Sequence, residues 1–133
     1  MTQVLTDRGA LGELFSLAPE EIEALPWVDF DGNPGVRYKT LWRLGSYVQA
    51  LIRYDAGATS NGDPHLAAHH HIWVVAGAMT MAGRHLDAGS YMHVPPGVRH
   101  AVDGVTAEGC TFLQMYRPHP PVEAEALASS SSR

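Results

Sequence analysis

Histidine is concentrated in one part of this sequence. Seven of the eight histidines fall between positions 65 and 100, and four of them lie within seven positions of the stretch GDPHLAAHHHIWVVAG. Neutral imidazole is the commonest metal ligand, and several imidazoles together suit Zn, Fe, Ni or Cu better than Ca or Mg, which prefer oxygen. The concentration therefore predicts a transition-metal site.

The triplet His69, His70 and His71 leads directly into a run that reads as a β-strand. Successive side chains of a strand point to opposite faces, so one extended strand cannot direct all three toward one ion. We expect His69 and His71 to share one face and His70 to occupy the other. Because a register shift exchanges the roles of His69 and His70, both stay candidate ligands, whereas His71 reads as outward or hydrogen-bonded.

Short strands are the elements that must position these histidines. From Trp27 onward, apolar or alternating runs such as VRYKTLWRL, SYVQALIRY and CTFLQMYR are separated by Gly, Pro, Asn and Asp. This texture is typical of an all-β sandwich or small barrel. Upstream, SLAPEEIEALPW predicts a short peripheral helix that stops at Pro26. We place an N-terminal segment at 1–35, the barrel at 36–118 and a flexible tail at 119–133.

Composition narrows the function classes. The chain has 133 residues and a net charge of -5, and its few Lys and Arg are scattered, so we expect no nucleic-acid partner. The sequence has no apolar run near the roughly 20 residues that span a bilayer, and MTQVLTDRGALGELF lacks the features of a secretory signal. The expected location is the cytoplasm, without membrane partners. The single Cys110 reads as a buried small hydrophobe.

The stretch from Gly57 to Gly77 resembles the first motif of the cupin superfamily. That motif reads Gly, five residues, His, one residue, His, three or four residues, Glu, six residues, Gly. The same spacing here gives Gly57, Asp63, His65, His70 and Gly77, with Asp63 in place of the first His and His70 in place of the Glu.

The stretch GSYMHVPPGVRHAVDG is similar to the second cupin motif, which reads Gly, five residues, Pro, one residue, Gly, two residues, His, three residues, Asn. Gly89, Pro95, Gly97 and His100 match, and Gly104 replaces the Asn. The resemblance covers about residues 36–117 and points to single-domain cupins of the ChrR-like and dihydroxyacetophenone-dioxygenase-like kind. It implies a cupin small β-barrel, an antiparallel jelly-roll sandwich, with a short N-terminal helical segment.

The resemblance implies a site for a divalent ion, Zn(II) or Fe(II), with His65, His69, His70 and His100 as candidate ligands. Asp63 is either an oxygen ligand, a group that orients His65, or a turn residue before a proline. His93 reads equally as a cavity residue or a surface residue. Gln114 is a weaker candidate for a polar contact near the metal. The apolar or aromatic candidates for the pocket or the core are Trp73, Phe112, Met115 and Tyr116.

Two functions remain open at this stage. The first is a metal-dependent enzyme that acts on a small oxygenated substrate, an enolisable carbonyl, a diketone or a polyketide-like molecule, as a Zn(II) polyketide cyclase or an Fe(II) dioxygenase. The second is a non-catalytic metal- or ligand-binding sensor module. A homodimer is expected by analogy with cupin relatives, because an uncovered sheet edge needs protection.

Overall fold

A computed structural model of the chain describes residues 14–63 and 68–118. This part of the chain contains one short helix and a set of antiparallel strands, which confirms the expected all-β fold class. The elements are α1 Pro19–Ala24, β1 Val28–Asp29, β2 Val36–Leu44, β3 Tyr47–Tyr54, β4 Ala68–Met81, β5 Arg84–Asp87, β6 Tyr91–Val94 and β7 Val102–Pro118.

The sheet is organised around two long neighbouring strands, β4 and β7. The strand order is β1-β2-β3-β7-β4-β5, and β6 pairs with the first half of β4. The pairing of β4 with β7 shifts register between Val74 and Ala76 and again further along the strand. Such bulges increase the local twist and bend a strand, which lets a single long strand wrap around a cavity.

The core lies on one face of this curved sheet. Along β4, Ile72 and Val74 are completely buried, whereas Trp73 and Val75 are about half exposed at 49% and 53%. The alternation follows the two-residue period of a strand. Because His70 shares the parity of Ile72 and Val74, its side chain points into the interior, and it is 3% exposed.

The helix α1 is held against the outside of the sheet. The ammonium of Lys39 donates to the Ile22 carbonyl at 3.0 Å and lies 4.7 Å from the centre of the Trp27 ring. The carboxylate of Glu21 accepts from the Ala18 backbone N–H at 2.9 Å and so caps the first turn. No helix within the two described ranges is long and apolar enough to cross a membrane.

The segment 1–35 proposed from the sequence contributes a strand to the sheet. The strand β1, within 1–35, pairs with β2 through Val28 and Tyr38, so sheet pairing begins upstream of residue 36. The range 119–133 lies outside the described residues, as do residues 1–13.

Candidate metal centre

The candidate metal centre begins with His70 on β4 and His100 in the loop before β7. Both side chains are buried, at 3% and 6% exposed. Nδ1 of His70 lies 3.3 Å from Nε2 of His100, and the two rings are nearly perpendicular, with centres 5.0 Å apart. Two residues that are 30 positions apart in the sequence thus meet inside the protein through tertiary structure.

The geometry of this pair fits two ligands of one ion. Two imidazoles on a tetrahedral ion, with Zn–N bonds of about 2.0–2.1 Å, have nitrogens about 3.3 Å apart. With its hydrogen on Nδ1, His100 donates to the Val98 carbonyl at 3.2 Å. That tautomer leaves Nε2 as the nitrogen with the lone pair, the arrangement typical of metal-binding histidines.

The loop before the candidate ligands is tied to His100. The His100 backbone N–H donates to the Gly62 carbonyl at 2.9 Å, and Ser60 N–H donates to the Val102 carbonyl at 3.0 Å. The guanidinium of Arg99 donates to the Asn61 carbonyl at 2.9 Å. These bonds hold the backbone on both sides of Gly62 against the loop that carries His100. Asp63 follows Gly62 directly and lines the same cavity as His70 and His100.

A cavity of about 280 Å³ opens in front of the histidine pair. The ring of Tyr116 stacks on the ring of His70, with centres 4.7 Å apart. Burial raises the pKa of Tyr116 to about 12, with a smaller opposing effect from a hydrogen bond to Gln114. The phenol therefore stays protonated at neutral pH. The polar residues lining this cavity include Ser60, Asn61, Asp63, His70, His100, Gln114 and Tyr116.

A second chamber of about 540 Å³ adjoins the first. Four residues line both spaces: Phe30, Ile52, Gln114 and Tyr116. Half of the residues that line the second chamber are apolar or aromatic, and its charged lining residues are Asp29, Asp31 and Arg43. Pockets of about 300–1,000 Å³ are typical of small-molecule sites, so the two chambers together offer room for an extended organic ligand.

The structure separates the predicted site residues into three groups. His70, His100 and Asp63 line the cavity. His69 lies on the outer face of β4, where its Nδ1 is 2.9 Å from Nε2 of His93. His65 lies in the range 64–67, outside the described residues. Within the described part of the chain, no three His, Cys, Asp or Glu side chains form a ready-made ion site.

His71 and His93 both lie on the outer face of the sheet. His71 hydrogen-bonds through Nδ1 to the Tyr91 hydroxyl at 2.6 Å, as the outward reading of this residue predicted. His93, for which the sequence allowed either a cavity or a surface position, lies on the exposed side and pairs with His71 across β4 and β6. Of the pocket candidates, Phe112 lines the cavity with Tyr116, whereas Trp73 is half exposed on the other face.

Several lining residues had no sequence signal that singled them out. Phe30 lies in a short loop after β1, and Tyr54 ends β3 on its buried side. The alternation of SYVQALIRY places Tyr54 with Ile52 on one face, and this pattern alone could have indicated it. Nothing local marks Phe30, because its position depends on the turn that joins β1 to β2.

The single cysteine is buried in the core, away from any role as a nucleophile. Cys110 is completely buried, and burial raises the pKa of its thiol to about 11. At pH 8 the thiolate fraction is then about a hundredfold lower than in the unfolded chain. We expect Ellman's reagent to label the native protein at least a hundredfold more slowly than the urea-unfolded protein. Equal labelling rates would contradict this burial.

Comparison with known proteins agrees with the fold. The family model described as a ChrR cupin-like domain matches residues 18–120. No match was found among proteins with curated descriptions.

Three solved structures illustrate the range of similar proteins. The polyketide cyclase RemF from Streptomyces resistomycificus has a TM-score of 0.65 and 17% identity, over 91% of this chain and 94% of that one. An RmlC-like cupin from Shewanella frigidimarina has a TM-score of 0.61 and 25% identity, over 79% and 90%. A chain from the Rhodobacter sphaeroides complex of SigE with the anti-sigma ChrR has a TM-score of 0.61 and 20% identity, over 71% and 49%.

These similar proteins include both an enzyme and an anti-sigma complex, so the fold by itself leaves both kinds of function open. The family match spans most of the chain, and the structural likenesses have the cupin fold. In the buried pair, His100 matches the second motif, whereas His70 stands where the first motif has Glu. The chain belongs to the ChrR cupin-like domain family of the cupin superfamily.

Proposed function

We propose that this protein is a metal-dependent cupin enzyme that acts on a small oxygenated substrate with an enolisable carbonyl, a diketone or a polyketide-like chain. The observation that carries the proposal is the buried contact between His70 and His100 at 3.3 Å, facing a cavity that shares four lining residues with a second chamber. Two buried imidazoles that face a ligand-sized cavity can bind a metal ion next to a substrate held in that cavity.

The proposed ligand set consists of His70 and His100, with Asp63 and His65 as the groups that complete it. Asp63 lines the same cavity and is held there by the backbone bonds around Gly62. His65 follows Asp63 by two residues and occupies a ligand position of the cupin motif. We leave His69 out of this set, because its ring lies on the outer face with His93.

A divalent ion, Zn(II) or Fe(II), supplies Lewis-acid polarisation of a carbonyl or enolate oxygen when bound at such a site. The protein's own groups then position the substrate. Tyr116 keeps its proton at neutral pH, since burial raises its pKa to about 12, and its hydroxyl can donate a hydrogen bond to an oxygen that gains negative charge. Gln114, which lines both chambers, offers an amide for a second polar contact.

The shape of the interior favours an extended substrate. An oxygenated end placed near His70 and His100 leaves the rest of the molecule in the second chamber, against apolar and aromatic side chains such as Tyr38 and Val48. Burial of apolar surface in that chamber contributes about 25 cal/mol per Å². The same layout suits a Zn(II) cyclase that directs aldol closure of a polyketide chain and an Fe(II) dioxygenase that cleaves a diketone.

Untagged protein analysed for metal and then assayed with a 1,3-diketone tests the proposal. Bound Fe(II) with oxygen uptake supports the dioxygenase, and bound Zn(II) with ring closure of a poly-β-ketone thioester analogue supports the cyclase. The matched variant Tyr116→Phe is expected to lower turnover by about ten- to a hundredfold with metal content unchanged. A fully folded wild-type protein that retains no metal after exposure to both ions would contradict the proposal.

The similarity to the SigE–ChrR complex supports a second candidate, a sensor module that binds a metal or ligand and contacts a protein partner. Such a module uses the same buried pair without turnover. Tight binding of a 1,3-diketone with no product over many hours, with the metal in place, would favour the sensor over the enzyme.

A further inference from the structure

Three histidines that the interior site does not use lie together on the outer face of the sheet. His71 on β4 is directly opposite His93 on β6, and His69 precedes His71 by two residues on the same face. Their rings are nearly parallel, with centres 4.7 Å apart for His71 and His93 and 5.1 Å apart for His69 and His93. The centres of the His69 and His71 rings are 6.5 Å apart.

We propose that His69, His71 and His93 form a second transition-metal site, which takes a divalent ion of tetragonal preference such as Cu²⁺ on the outer face of the sheet. This site is distinct from the interior pair, because His70 points to the opposite face of the same strand and is buried. The proposal does not depend on the proposed enzymatic function.

The ring spacings match three positions of a square-planar ion. With metal–nitrogen bonds of about 2.0 Å, ring centres lie about 3.2 Å from the ion, which gives about 4.5 Å between neighbouring ligands and about 6.4 Å between opposite ones. The observed values place His93 next to both other rings and set His69 opposite His71.

The nitrogen atoms support the same assignment. Nδ1 of His69 and Nε2 of His93 are hydrogen-bonded at 2.9 Å, and this separation is close to the roughly 2.8 Å between neighbouring nitrogens of a square-planar ion. With its hydrogen on Nδ1, His71 donates to the Tyr91 hydroxyl oxygen and keeps the lone pair on Nε2. Tyr91 then orients the ligand as an outer-shell acceptor.

Some adjustment is required before an ion binds. The rings stack instead of directing three nitrogens to one point, and within residues 14–63 and 68–118 no group of three such side chains is already arranged around an ion. His93 is exposed and His69 and His71 are partly exposed, so their rings have room to turn about their torsions. Arg117, opposite His69 on β7, opposes a cation, and solvent and salt screen this repulsion at an exposed face.

Equilibrium dialysis of the untagged protein against Cu²⁺, together with electron paramagnetic resonance, tests the proposal. The variant His69→Gln/His93→Gln is expected to bind one equivalent fewer, because losing two of three chelating groups weakens binding by about a hundredfold or more. The matched control His85→Gln changes an exposed histidine of β5 that lies outside the cluster and should bind as the wild type does. The wild-type spectrum should show coupling to three imidazole nitrogens.

The interior site is tested separately in the same experiment. The variant His70→Gln/His100→Gln should keep the outer equivalent and its spectrum, so loss of the interior metal leaves this proposal standing. Unchanged Cu²⁺ binding by His69→Gln/His93→Gln would overturn it. Protection of all three outer histidines from diethyl pyrocarbonate in the metal-free protein would also overturn it, because a second copy of the chain would then cover the face.

Discussion

Replacing both His70 and His100 by glutamine is expected to remove the interior metal, from about one equivalent per chain to less than about a tenth. Glutamine keeps a polar side chain of comparable length and removes the imidazole nitrogens that face each other at 3.3 Å. Because an ion at a hundred to a thousand times its Kd stabilises a protein by about 2.7–4.1 kcal/mol, the variant should lose stability of this order in excess metal.

The measurement combines metal analysis by mass spectrometry with urea unfolding, in the presence of metal and of a chelator. In chelator, the wild type should fall towards the stability of the variant, since both then lack the ion. The control His85→Gln should retain the wild-type metal content and stability, because His85 is exposed on β5. Equal metal content in the double variant and the wild type would place the ion elsewhere.

Replacing Gly62 by alanine is expected to destabilise the protein by about 3 kcal/mol or more and to weaken metal binding with it. The φ angle of Gly62 is +65°, and an added Cβ would lie 2.1 Å from the Ala101 backbone nitrogen and 2.2 Å from the His100 carbonyl carbon. The clash is with backbone atoms, so relief requires movement of the segment that carries His100 and of the loop that presents Asp63.

Gly57→Ala is the matched control for this substitution. Gly57 has a φ of +78°, and an added Cβ has no heavy atom within 4 Å. It therefore reports the cost of the left-handed conformation alone, about 1–2 kcal/mol. The difference between the two variants in urea unfolding isolates the close approach of Gly62 to the His100 loop. Equal destabilisation by both substitutions would show that this close approach does not hold the site together.

The fold and the two faces of the histidine triplet could be predicted from the sequence. The two-residue alternation of β4 follows from residue types alone, and it correctly divides His70 from His69 and His71. The cupin-like spacing paired His70 with His100, which strand periodicity could not do, because the two residues are 30 positions apart and meet only through tertiary structure.

The contact of His69 and His71 with His93 on the outer face could not be predicted from strand periodicity. It depends on the register in which His71 faces His93, and a slip of one residue between β4 and β6 would move His93 to the inner face. No turn residue between these strands sets that register by itself, because β5 and its connections separate them in sequence. The lining role of Phe30 is likewise set by tertiary packing of a loop.

Anomalous X-ray scattering at the metal absorption edge tests the central claim most directly. Crystals of untagged protein grown without chelator should give an anomalous peak about 2.0–2.2 Å from ring nitrogens of both His70 and His100. That peak should lie in the cavity that Asp63 and Tyr116 line. Direct hydrogen bonding of the two imidazoles at about 3 Å, with no anomalous peak beside them after soaking in Zn²⁺ and in Fe²⁺, would contradict it.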